Sequence, residues 1–358
     1  MLQPRPAAAI RRRTIFSGIQ PTGIPHLGNY LGALQQWAKI QNESALDATL
    51  LFCIVDLHAI TVPQDPVALR ESRRQMLASL MAVGLDPQRS ILFYQSSVPA
   101  HAELMWILSC QASVGYLSRM TQWKSKIGVA DSASLSDPAS RKKLKLGLFS
   151  YPVLQTADIV LYGATHVPVG ADQAQHIEFA RECANSFNHV YGPVLALPQT
   201  ILSPAKRVMS LAKPSAKMSK SDPDPKSRIL ISDSPETISA KLRAALTDSV
   251  PGDVSYDTAA RPGVSNLLEI LWHLSPEGTY EGIEDVVKDC QGLSLRAFKE
   301  KVAGVAEVHL RPIRKSYEEA YKKEEGRALD EVEKNGAERA RAVAAKTMVD
   351  VKQAMGLA

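Results

Sequence analysis

Thr49-Leu50-Leu51-Phe52-Cys53-Ile54-Val55, closed by Asp56, is an apolar run with no polar alternation. Such a run suits a strand buried on both faces of a parallel sheet. Working outward, the Thr14–Ile19 stretch is a second short β-type run, and residues 90–93 and 165–169 supply two more. Apolar-periodic stretches lie between them, at residues 30–40, 66–83 and 98–113. The second of these opens on Pro66 and is followed by Gly84, which fits helix start and stop chemistry. Strand and helix therefore alternate. The alternation implies crossover connections and an α/β fold with a doubly wound parallel sheet, whose ligand lies at the carboxyl ends of the strands.

The 358 residues suffice for one large domain plus a smaller one. At 45% hydrophobic and 22% charged, the composition is that of a globular protein. A net charge of +5 permits an anionic partner without demanding one. Cys53, Cys110, Cys183 and Cys290 are widely spaced with no CxxC pair, so neither a zinc site nor a disulfide framework is expected. No apolar run is long enough to span a bilayer. The first 13 residues hold four arginines and no acid, a composition shared by organellar targeting peptides and by plain basic tails.

Three stretches carry chemistry. Lys217-Met218-Ser219-Lys220-Ser221 runs into Asp-Pro-Asp-Pro, which disfavours a regular element and makes the pentad a loop. Two ammonium groups and two hydroxyls on a loop suit a polyphosphate. Pro25-His26-Leu27-Gly28-Asn29 follows the first strand and a Gln20-Pro21-Thr22-Gly23 turn, a geometry that gathers free amides around an anion. His26 and Asn29 fit helix caps equally well. Finally, Tyr151, Gln155, Asp158 and Tyr162 share one face of an almost wholly apolar helical stretch. An ionised Asp158 there needs a partner, from elsewhere in the fold or from a ligand. Residues 124–145 break the pattern and read as a mobile basic loop, ending in Arg141-Lys142-Lys143 and Lys145. After Pro235 the texture is helical, at residues 236–246, 264–274, 295–310 and 314–355, with an interruption near Gly326.

The pentad and His26-Leu-Gly-Asn29 together resemble the paired KMSKS and HIGH signatures of class I aminoacyl-tRNA synthetases. Residues 14–23, His26–Asn29, Tyr151-Pro-Val-Leu-Gln-Thr-Ala-Asp158, Val169-Gly-Ala-Asp-Gln-x-Gln-His176, Lys217–Ser221 and Arg261-Pro-Gly-Val-Ser-Asn-Leu-Leu268 occur in the order found in tryptophanyl-tRNA synthetases of the bacterial and mitochondrial type. The resemblance spans residues 14 to 358. It implies a basic tail over 1–13, a Rossmann-like catalytic domain over 14–220, and a connector with a helical anticodon-binding domain over 221–358.

The resemblance also implies two reactions. Tryptophan attacks the α-phosphate of ATP, giving tryptophanyl-adenylate and pyrophosphate; the acyl group then passes to the tryptophan tRNA. Such chemistry is mostly positioning and charge stabilisation. The resemblance gives His26, Asn29, Lys217, Lys220 and Ser221 the catalytic roles. Gln20, Pro21, Thr22 and Gly28 would line the nucleotide site, Gly170, Ala171 and Asp172 would hold the ribose, and Val208 would sit beside the adenine. Met218 and Ser219 would complete the phosphate loop, with Lys124 and Lys126 reaching the same phosphates. Mg²⁺ would ride on ATP without a tight protein site. Asp158 would read the indole N–H, a contact that can discriminate by roughly 10⁴–10⁵. Tyr151, Gln155 and Gln173 would bind the amino end or form walls, and Phe16 and His58 the rim. Ala171 stands where the bacterial pattern has Glu, which preserves backbone contacts and removes any carboxylate role. A homodimer is implied, with tRNA bridging subunits; Arg311, Arg314, Lys315, Lys322 and Lys323 are candidate phosphate contacts. His26, Gln155 and the arginine tail favour the mitochondrial matrix over the cytoplasm.

Two rivals stay open on the residues. One is a tyrosine-specific synthetase or another HxGH nucleotidylyltransferase, against which Asp158 and Gly-x-Asp-Gln argue. The other is a non-catalytic, synthetase-like RNA-binding protein, which would need neither the pentad nor Asp158.

Overall fold

The computed structural model describes residues 12–170, 173–202, 207–250, 252–322 and 327–358. Five strands, β1 (Thr14–Ile19), β2 (Thr49–Ile54), β3 (Ile91–Tyr94), β4 (His166–Val169) and β5 (Gln199–Leu202), form one sheet in the order β3-β2-β1-β4-β5. Every pairing is parallel. The order reverses direction at β1, so the switch point lies between β1 and β4.

The apolar run in β2 serves two cores at once. Leu50, Phe52 and Ile54 enter one cluster, while Leu51, Cys53 and Val55 enter the other. Alternate side chains of a strand face opposite ways, so a strand covered on both sides must be apolar throughout. Burying each large side chain contributes roughly 1.5–3 kcal/mol.

The first core is covered by α1 (Leu27–Asn29), a π-helical turn over Tyr30–Leu34, α2 (Gln35–Glu43), α4 (Pro66–Ala82), α11 (Pro235–Ala244), α12 (Pro262–Leu274), α13 (Ile283–Asp289) and α14 (Leu295–Lys322). Trp37 stacks on Phe52 at 4.9 Å between ring centres. The second is covered by α5 (Ala100–Ser109), α6 (Val114–Arg119), α9 (Leu146–Val160), α10 (Ala174–Tyr191) and the end of α15 (Arg327–Met355). The short α3 (Asp56–Ala59) follows β2.

α15 returns from the helical half to the sheet. A Cβ on Gly336 would lie 1.7 Å from the Leu92 carbonyl oxygen, so helix backbone meets β3 directly. Arg339 donates to the carbonyls of Pro87 (2.6 Å) and Ser90 (3.3 Å) beside it. Edge strand β3 is thereby covered, which removes an exposed template for pairing with other chains.

Two expectations need correction, and one strand is absent from the sequence reading. Residues 124–145 are not one loop: α7 (Gln122–Ile127) and α8 (Pro138–Lys143) lie across them. Gly128, left-handed at φ 68°, ends the first, and Pro138 occupies the first turn of the second. The helical stretches read at residues 295–310 and 314–355 do not separate at residues 311–313, where Pro312 lies. α14 runs straight through it, because Leu310, Ile313 and Tyr317 stay buried on the same face and that packing outweighs the lost backbone bond. Strand β5 went unread: Gln-Thr-Ile-Leu is short and half exposed at the sheet edge, so it has no continuous apolar signal.

Candidate active site

A cavity of about 350 Å³ opens between the carboxyl ends of β1 and β4. Phe16 through Gln20 form one wall, and Val167 through Gly170 form the facing one. The two strands part here for a local reason. Pro168 has no N–H to give, and the Ser17 hydroxyl takes up its carbonyl at 3.0 Å.

All six residues expected around the amino acid, Phe16, His58, Tyr151, Gln155, Asp158 and Gln173, line this cavity. Gln20, Gly170 and Lys126, expected on the nucleotide side, line it too. Ala171 and Asp172 lie outside the described residues. The helical face inferred for α9 is correct for Tyr151, Gln155 and Asp158; Tyr162 follows the helix end and sits behind the cavity wall.

Asp158 is 1% exposed and is held by protein groups. Its Oδ1 accepts from Gln95 Nε2 and from His101 Nδ1, both at 2.7 Å. Its Oδ2 accepts from His58 Nε2 at 2.8 Å. Burial works to raise the carboxyl pKa, but hydrogen bonds from His101 and His58 outweigh it and bring it down to about 2. The acid is therefore ionised at neutral pH. Gln95 and His101 escaped the sequence reading because Gln95 follows a strand and His101 sits within an apolar helix. Neither has spacing that ties it to Asp158.

The walls are linked as well. The Tyr151 hydroxyl donates to Gln122 Oε1 and meets His176 Nε2, each at 2.8 Å. Gln155 Nε2 reaches Gln173 Oε1 at 3.4 Å. Lys126 lies 5.4 Å from the centre of the Tyr151 ring, and burial lowers its pKa. Lys124 behaves differently from expectation. It is buried, donates to the Asp131 carbonyl at 2.5 Å, and is absent from the cavity lining, because α7 turns it toward its own loop.

The two phosphate-type stretches meet. His26 and Asn29 form a reciprocal cap: the Asn29 amide donates to His26 Nδ1, and the His26 amide donates to Asn29 Oδ1, both at 3.2 Å. Since Nδ1 accepts, Nε2 carries the ring proton. Burial, then the charges of Lys220, Arg228 and Lys217, lower the His26 pKa to about 4, so the ring is neutral. The chain after the pentad pairs with this turn. The Leu27 amide donates to the Ile229 carbonyl (2.8 Å), and the Ile231 amide to the Pro25 carbonyl (3.1 Å). Met218 Cβ lies 3.7 Å from where a Gly28 side chain would begin.

The pentad has its own supports. The Met218 amide donates to the Val208 carbonyl at 3.0 Å. Asn266, from the Arg261–Leu268 motif, brackets Met209 through both its amide (2.9 Å) and its carbonyl (3.1 Å). The Ser219 and Ser221 hydroxyls are 2.8 Å apart. Lys217 is exposed, whereas Lys220 is half-buried. Burial, then the nearby Arg228 charge, lower the Lys220 pKa to about 7.

A cleft at the switch point of a parallel sheet, with a lysine–serine loop folded against a capped His-x-Gly-Asn turn, is an arrangement suited to a nucleotide-binding α/β enzyme. Comparison with known proteins gives the class. A sequence profile of class I tRNA synthetases (W and Y) matches residues 9–311, and the chain belongs to that family. Within it, the chain is 45% identical to the mitochondrial tryptophan–tRNA ligase of Schizosaccharomyces pombe, over 99% of this chain and 98% of that one. It is 46% identical to the tryptophan–tRNA ligase of Bacillus anthracis, over 96% and 98%. The tryptophanyl-tRNA synthetase of Campylobacter jejuni, solved with ADP and tryptophan, superposes with a TM-score of 0.77 at 30% identity, over 96% of this chain and all of that one. The activity is that of a tryptophan–tRNA ligase: ATP-dependent activation of tryptophan, then transfer to tRNA.

Proposed function

We propose that the β1–β4 cavity is the tryptophan site and that Asp158 receives the indole N–H. The observation that carries this is a buried, ionised carboxylate facing a cavity that the aromatic and polar residues Phe16, His58, Tyr151, Gln155 and Gln173 also line. An amino acid without that N–H would leave the carboxylate short of a donor in a dry site.

ATP would lie on the other side of Gly170, with Gln20, Pro21, Thr22, Gly28 and Val208 around it. One tryptophan carboxylate oxygen bonds to the α-phosphorus while the bond to the β-phosphate oxygen breaks, and pyrophosphate leaves with that electron pair. The neutral His26 would donate from Nε2 to a phosphate oxygen, with Asn29 holding the ring. Lys217 and Lys220, with Ser219 and Ser221, would stabilise the charge that grows on the leaving group. Mg²⁺ would enter on ATP. Lys126 suits a place near the α-phosphate, since it lines the cavity; Lys124, turned to Asp131, suits none.

The functional division at residue 220 is kept, with the helices after it as the anticodon-binding part. A homodimer fits the exposed apolar side chains Trp106 (72%), Val114 and Leu146 on α5, α6 and α9. Sedimentation equilibrium giving the mass of one chain would remove it. The mitochondrial matrix is the proposed location, on the likeness to the mitochondrial relative, and an import assay on the full chain tests it. Of the candidate tRNA contacts, Arg311 and Arg314 both pair with Glu307, and Arg314 also donates to the Asp233 carbonyl, which leaves Lys315 and Lys322, in loose exposed pairs, as the better pair. Lys323 lies outside the described residues.

The test is tryptophan-dependent exchange of labelled pyrophosphate into ATP. Asp158→Asn should lower it at least a hundredfold while the circular dichroism spectrum is kept. Near-normal exchange by that variant would remove the indole assignment.

A further inference from the structure

Asp158 offers about four acceptor positions as a carboxylate, and three are filled by protein donors. Their distribution is uneven. Oδ1 takes two donors, Gln95 and His101, and is saturated. Oδ2 takes one, His58. The direction matters too: His58 lines the cavity, and Gln95 and His101 do not. The saturated oxygen thus lies on the protein side, and the under-filled one on the side of the cavity.

The donors on Oδ1 are themselves fixed. Gln95 is fully buried, and its Oε1 accepts from the Leu57 amide at 3.1 Å, so its amide cannot turn over without losing a bond. His101 is also fully buried. A carboxylate only accepts, so His101 Nδ1 carries a proton, and the Tyr162 hydroxyl meets Nε2 at 2.8 Å from the far side. Tyr162 also stacks on Phe16, 5.6 Å between centres and 13° between planes, and Phe16 is a cavity wall. One tyrosine therefore braces both the aromatic wall and the histidine behind the carboxylate.

We propose that His101, with Gln95 beside it and Tyr162 behind it, is a positioning residue for amino-acid selection: it saturates Oδ1 of Asp158 so that the single open acceptor position lies on Oδ2, aimed at the indole N–H. This rests on the reading of Asp158 given above. Without the His101 donor the carboxylate can rotate, Oδ1 regains an open position, and the acceptor no longer has one direction. Binding of an N–H-bearing side chain weakens. Binding of an isostere without the N–H, which never used the acceptor, changes little.

The experiment is pyrophosphate exchange with tryptophan and with 3-benzothienylalanine, where sulfur replaces the indole N–H, in the full chain and four variants. His101→Leu should raise KM for tryptophan about 30-fold, change kcat less than threefold, leave KM for ATP within twofold, and lower the tryptophan-to-analogue ratio of kcat/KM at least tenfold. His101→Asn, which keeps an N–H donor near the Nδ1 position, should restore most of that ratio. Tyr162→Phe, a minimal change, should lower it three- to tenfold and decides the matter if His101→Leu does not fold. An unchanged ratio in His101→Leu, or in Tyr162→Phe when that variant is the one left to judge, overturns the proposal. So does an equal loss for both amino acids and for ATP. Asp158→Asn separates the two levels. If it collapses the ratio while the His101 and Tyr162 variants do not, only the positioning role fails; if it leaves the ratio intact, the indole assignment itself fails.

Discussion

The ammonium of Lys220 lies 2.7 Å from the backbone carbonyl of Thr22, a residue 198 positions earlier. This contact joins the lysine–serine loop to the turn that follows β1. It depends on Gly23, whose φ of 80° is a conformation that residues with a Cβ rarely adopt, and whose missing side chain would start 3.6 Å from the Lys220 nitrogen. A cation held near a backbone carbonyl stands ready to exchange that partner for a phosphate oxygen, a far stronger one.

Lys220→Ala should therefore slow adenylate formation about a hundredfold and change the Kd for tryptophan by less than threefold. Single-turnover adenylate formation and equilibrium tryptophan binding check the two halves. Equal effects on both would contradict a role confined to the reacting phosphates.

The same burial has a stability signature. An unfolded lysine titrates near 10.5, and folded Lys220 at about 7. Between those values the unfolded chain holds more protons, so wild-type stability rises with pH through this group. Lys220→Met removes that rise. The ligand-free variant should gain most over the wild type at pH 7, and the gap in Tm should narrow by about 2 °C or more by pH 9. A gap that stays constant or widens would mean that Lys220 is not depressed in the folded protein.

The parallel sheet was legible because an uninterrupted apolar run has one good physical explanation, and β2 fills both cores as that explanation requires. The grouping of Tyr151, Gln155 and Asp158 was legible from helical period alone. What closes around Asp158 was not. Gln95 and His101 reach it from 63 and 57 positions away, and no local pattern encodes such a meeting. Asn266 is similar: it stands out in sequence only as part of a resemblance, and its bracket around Met209 is visible only in three dimensions. The gap left between the stretches 295–310 and 314–355 misled for the opposite reason. The local meaning of Pro312 within it is a helix stop, and packing on either side overrides it.

Close approach of α15 to β3 gives a test of the packing itself. Gly336→Ala would place a methyl 1.7 Å from the Leu92 carbonyl oxygen, so helix or strand must shift. The expected loss is about 1–3 kcal/mol in denaturant unfolding. A loss under about 0.5 kcal/mol would mean that α15 rides higher above the strand than the structure has it.

The most direct measurement is amino-acid-dependent exchange of labelled pyrophosphate into ATP by the wild-type protein, with tryptophan, tyrosine and phenylalanine tested separately. Exchange with tryptophan, and at most about 10⁻⁴ of that with the other two, is the result expected if Asp158 reads the indole N–H. Comparable exchange with tyrosine or phenylalanine would contradict it.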